Sequence, residues 1–174
     1  MRIRWQIRNG RKKSAHGQKT CNDPAPDPYY TKGARKASEM VLKRYVVLYL
    51  ATLIVLIPID FLFLRTVAKD LFTSQVGEML GEIRLAPAVL FYLLYVAGIL
   101  VFVSAPPGAT WRSTLLYGAL FGLFCYATFE LTALALLKQW TWRVVVVDVS
   151  WGTFMTALSS TLGLLIADHI APRA

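Results

Sequence analysis

Apolar residues run almost unbroken through four stretches of the chain, at about residues 43–64, 86–104, 111–137 and 144–167. Roughly 20 residues, at roughly 1.5 Å rise each, cross a hydrocarbon core of roughly 30 Å. Each stretch is therefore long enough to span a bilayer as a helix. The pattern predicts an all-α protein: a four-transmembrane-helix bundle with both termini on the same side. Pro58 is expected to kink the first span near its end, and Arg65 closes it. Pro87 enters the second span at a first-turn position, where proline is tolerated, and APPGAT at 105–110 ends it. Spans three and four are joined by KQWTWR, in which Trp140 and Trp142 suit an interfacial aromatic belt, with Trp111 at the opposite interface.

Two segments lie outside the spans. In residues 66–84, Val67, Leu71, Phe72, Gln75, Met79, Leu80 and Ile83 fall near one side of a helix. Lys69, Asp70, Glu78 and Glu82 fall elsewhere, which predicts an interfacial helix between spans one and two, weakened by Gly77 and Gly81. Residues 1–39 are polar and interrupted by Pro24, Pro26 and Pro28, so they are expected to be a basic, disordered tail. No apolar run of signal-peptide length follows the early arginines. Met40 precedes VLKRYVVLYLATL, a short basic flank and then a span, so the tail also reads as an over-extended start, with residues 40–174 the membrane domain.

Composition supports the pattern. Of 174 residues, 56% are hydrophobic and 17% charged, with a mean hydropathy of +0.48. A soluble domain of this length carries more charge. The net charge of +9 sits mostly in residues 1–39, which hold ten Lys or Arg against three acids; the remainder holds nine against seven. Beside a membrane domain such a tail reads as an inside-facing flank, and no nucleic acid partner is expected. With the tail counted, one side carries fourteen Lys or Arg and the other five, which predicts cytoplasmic termini; counted from Met40 the figures are four and five.

Three acids stand inside the apolar runs: Asp60, Glu130 and Asp148. An acid at mid-bilayer costs about 2.5–3.5 kcal/mol on insertion scales, so it usually faces protein or water. Asp148, Gly152, Thr156, Ser159 and Gly163 share a face of span four. Gly118, Gly122, Tyr126 and Glu130 share one of span three. Small and hydroxyl residues let membrane helices approach closely, so Gly118, Gly122, Gly152, Thr156 and Gly163 are expected to pack. Counted from the span ends, the acids share a shallow layer roughly 6–10 Å below one interface, with Tyr126 and Trp151 as polar-capable neighbours. Two readings stay open. The acids could pair with Lys138 and Arg143, or reach water, and simply lock the bundle. Alternatively they form a ligand or ion site whose close carboxylates share a proton near neutral pH.

The residues offer little else. Two cysteines, Cys21 and Cys125, make no disulfide framework, and His16 and His169 are lone, so no metal or cofactor is expected. No nucleophile–base pairing or phosphate loop is present, which disfavours an enzyme. The leading expectation is small-molecule or ion binding or transport through a shared acidic layer. Its rivals are a partner subunit of a membrane complex without a ligand, and an enzyme acting on a lipid-borne substrate. Beyond the lipid bilayer, a homo-oligomer or a membrane partner is expected, because four short spans enclose little cavity.

The segments YVVLYLATLIVLIPIDFLFL, APAVLFYLLYVAGILVF, GALFGLFCYATFELTALALL and VVVVDVSWGTFMTALSSTLG together resemble a bacterial membrane family, domain-of-unknown-function family twenty-one seventy-seven. Asp-Phe-Leu at Asp60 and Asp-x-x-Trp-Gly at Asp148, Trp151 and Gly152 are its more specific parts. Where the family pattern is similar to Tyr-Asp-Leu-Thr-Asn, this chain has Phe129, Glu130, Leu131, Thr132 and Ala133. The acid is kept on a longer side chain and the Asn amide is absent. The resemblance brings no established activity; it implies a small multi-pass protein of the bacterial inner membrane.

Overall fold

The computed structural model describes residues 28–77 and 84–173. The regular structure among them is helical: α1 (Pro28–Phe63), α2 (Lys69–Val76), α3 (Leu85–Ile99), α4 (Trp111–Leu136) and α5 (Trp142–Ile170). Four helical segments are long and apolar enough to cross a membrane: Arg35–Val67, Leu85–Ser104, Trp111–Leu136 and Trp142–Ile170. Their outer faces are apolar too, with Ile54, Leu94, Phe102, Phe124, Leu136 and Val146 all exposed. Helices that are hydrophobic all round suit a lipid solvent rather than water.

The first helix departs from the sequence reading at both ends. It begins at Pro28, not near residue 43, so residues 28–39 are helical rather than irregular. A proline opens a helix without cost because the first N–H has no intrahelical partner. Pro24 and Pro26 lie outside the described residues. The helix continues through Pro58, and its geometry changes further on, at a π-helical turn over Leu64–Ala68 that leads directly into α2. The segment after span one is thus helical as far as Val76, while Met79, Leu80 and Ile83 lie outside the described residues.

The described side chains from Lys32 to Lys43 are all exposed, and Arg44 is the first to pack. Expression from Met40 should therefore preserve membrane insertion and thermal stability. A degraded or misfolded product of that length would show that the basic segment supports the bundle.

Short loops set the remaining helices. Ala109 N–H donates to the Pro106 carbonyl at 3.1 Å, with Pro107 and Gly108 between them and Gly108 at φ 80°. Proline then glycine with positive φ is the preference of a type II turn. Thr110 and Ser113 cap α4 reciprocally: the Thr110 N–H donates to Ser113 Oγ at 2.8 Å, and the Ser113 N–H to Thr110 Oγ1 at 3.3 Å.

Helix α5 is the centre of the bundle, with α4 and α1 packed along it. Backbone proximity requires the glycines there. A methyl group on Gly122 would meet the Gly152 carbonyl oxygen and Thr156; one on Gly118 would meet Ser160, and one on Gly163 would meet Thr52. Leu56, Val96, Ile99, Val103 and Met155 fill the core between α1, α3 and α5. One end is tied by ions. Arg44 Nη2 donates to Asp168 Oδ1 at 2.6 Å, and Nη1 to the Ala171 carbonyl at 2.7 Å. Arg173 approaches the same carboxylate oxygen at 3.4 Å and also donates to the Ala109 carbonyl. The start of the first apolar run, the end of α5 and the α3–α4 loop therefore meet at one place.

Candidate functional site

The three acids of the apolar runs are all buried, at 6% exposure for Asp60, 0% for Glu130 and 9% for Asp148. Each reaches the interior from a different helix. Asp60 on α1 accepts hydrogen bonds from Tyr92 Oη at 2.6 Å and from Trp151 Nε1 at 3.2 Å. Phe63, one helical turn on, stacks against Trp151 with ring centroids 4.3 Å apart and planes 8° from parallel. One turn of α1 thus holds the indole of α5 by its ring face and its N–H together.

Glu130 is held by a residue ten positions later. The chain leaves α4 at Leu137, and the Trp140 N–H donates to the Leu137 carbonyl at 3.1 Å. That turn folds Trp140 back, so that its Nε1 donates to Glu130 Oε2 at 2.8 Å. Phe129 meets the indole edge-on, with centroids 6.4 Å apart. Trp140 is buried against the protein, whereas Trp142 is exposed.

Asp148 joins the group. Its carboxyl lies near those of Glu130 and Asp60. Glu130 Oε1 is fully enclosed and has no N–H or O–H donor against it. Among the described residues no ion pair joins any of the three acids to Lys138 or Arg143, and both cations are exposed. No group of three metal-ligating side chains occurs among the described residues.

Tyr126 lies flat on Gly152, where a methyl group would enter its ring. Its edge faces Tyr95 on α3, with centroids 6.2 Å apart. Tyr95 Oη and Thr156 Oγ1 are 2.7 Å apart, and Thr156 also donates to the Gly152 carbonyl at 2.5 Å. Of the packing residues, Gly118, Gly122, Gly152 and Thr156 lie at the α4–α5 contact, whereas Gly163 faces α1. The roles of Tyr92, Tyr95 and Trp140 do not follow from the sequence reading. Tyr92 and Tyr95 do carry a signal, two phenol hydroxyls one turn apart in an otherwise apolar span.

Helix α3 meets α4 closely at its C-terminal π turn over Leu100–Ser104. Elsewhere long aromatic side chains bridge the gap, and a cavity of about 790 Å³ remains. Phe91 and Tyr95 wall it from α3; Phe121, Phe124, Tyr126 and Phe129 wall it from α4. Asp148 of α5 forms its one acidic lining. Phe124 and Phe129 on the rim are exposed on the outer face of the bundle. A cavity of this size accepts a drug-sized molecule, and an apolar wall with few convergent polar groups is the usual form of such a site.

Residues 45–165 match the model of a family described as predicted membrane protein (DUF2177). The match contains the groove and all three acids. No curated protein and no solved structure matches the chain.

Proposed function

Because the chain belongs to the DUF2177 family of predicted membrane proteins, we propose that it binds a small amphipathic molecule in the groove between α3 and α4. The molecule's apolar body lies against the aromatic walls and its polar end meets the Asp148–Glu130 pair. The observation that carries this reading is the carboxyl of Asp148 in a mostly apolar cavity of about 790 Å³, where the other polar-capable linings are Tyr95, Tyr126, Cys125 and Thr128. A buried acid without a counter-cation is expensive in a membrane and is usually tied to a ligand, ion or proton path. The exposed rim at Phe124 and Phe129 lets the molecule enter sideways from the bilayer.

Cys125 lines the same groove and is exposed, so Cys125→Trp fills the groove from its lipid side. Native mass spectrometry of gently solubilised protein should show a small-molecule adduct on the wild type and none on Cys125→Trp. Identical spectra, with lipid alone on both, would contradict the reading.

The protein sits in the bacterial inner membrane in this reading, with both termini and the 105–110 loop cytoplasmic. Arg44 and Arg173 both meet Asp168, and Arg173 the Ala109 carbonyl, at the end of the bundle that is richer in basic residues when residues 1–39 are counted. Single cysteines at Gly108 and Gln139 in a cysteine-free background report the orientation. An impermeant thiol reagent should label Gln139 in intact cells and leave Gly108 unlabelled; the reverse pattern would invert the arrangement.

A further inference from the structure

The groove combines three features that together restrict its ligand. Six aromatic rings wall it, one carboxyl closes its floor, and among the described residues no lysine, arginine or histidine lines it. Behind that carboxyl stands Glu130, fully buried, with one oxygen that no donor reaches. Aromatic faces carry negative quadrupole density and attract cations, most strongly where water is excluded. Both the wall and the floor therefore favour positive charge, and an anionic headgroup would face two carboxyls without a counter-ion.

We propose that the groove is a site for lipophilic cations, molecules with a hydrophobic body and an ammonium or similar positive centre that pairs with Asp148. This rests on the groove being a ligand site at all. No bond is made or broken in the ligand. The groups facing Asp148 are Glu130 and Tyr126 from α4, Asp60 from α1, and Tyr95 from α3 beside the cavity. Tyr92 is engaged with Asp60. Cys125 also lines the groove. None of these supplies a permanent positive charge, so a bound cation has no competitor of its own sign.

Tetraphenylphosphonium and tetraphenylborate test the proposal, because they share size and shape and differ in charge. Equilibrium binding to the purified full chain in micelles, with empty micelles subtracted, should favour the cation by about tenfold or more. Asp148→Asn should abolish that preference. Equal affinity for the two ions would overturn the cation assignment and leave the groove reading standing. Binding of neither ion, or binding to Cys125→Trp as tight as to the wild type, would overturn both. If Asp148→Asn fails to fold, the comparison of the two ions on the wild type still decides the matter.

Discussion

Gly122→Ala should lower the stability of the bundle by about 1–3 kcal/mol, the usual cost of forcing a methyl group into a packed contact. The added carbon would meet the backbone carbonyl oxygen of Gly152, and behind it the Thr156 side chain. A carbonyl within α5 cannot rotate away, so α4 and α5 must separate along the contact that carries the acid pair. Gly98→Ala provides the contrast. There the nearest atom is the tip of the Phe121 ring, 2.9 Å from the new carbon, and a ring tip can turn aside. Its cost should stay within about 0.5 kcal/mol. Reversible unfolding in mixed micelles, followed by far-ultraviolet circular dichroism, separates the two. Equal effects would mean that the α4–α5 contact is looser than the glycines indicate.

Asp60→Ala should be comparably damaging for a different reason. The carboxylate accepts from both Tyr92 and Trp151, and its loss leaves two half-buried donors without an acceptor. A buried group left unsatisfied costs about 1–3 kcal/mol. Tyr92→Phe, which removes one donor and leaves Asp60 its bond to Trp151, should cost less. The same unfolding assay ranks them. A Tyr92→Phe variant less stable than Asp60→Ala would show that the phenol is held by something other than Asp60.

The four spans are legible in the sequence because a bilayer demands uninterrupted apolar length, a property that needs no knowledge of partners. The register that sets Asp148, Gly152 and Thr156 on one face can likewise be counted along the chain. The start of α1 is harder. Three prolines within five residues read as an interruption, yet the last of them, Pro28, opens the helix and the residues after it follow without a break. Trp140 is harder again, since no periodicity relates a loop residue to Glu130 across the end of α4. The turn from Leu137 to Trp140 creates that contact. Lys138 and Arg143 are the cations nearest Glu130 and Asp148 in sequence, but helix ends carry long basic side chains outward to water. The groove has no sequence signature, because it arises from α3 and α4 meeting at one end and standing apart along the rest.

Everything claimed for the groove floor depends on Glu130 and Asp148 behaving as one group. A double-mutant cycle of Glu130→Gln and Asp148→Asn, read as unfolding free energy in micelles, measures that dependence directly. Residues in contact couple by about 0.5–3 kcal/mol, whereas independent sites add to within about 0.3–0.5 kcal/mol. A coupling energy in the first range is the result expected here. Simple additivity would mean two separate buried acids.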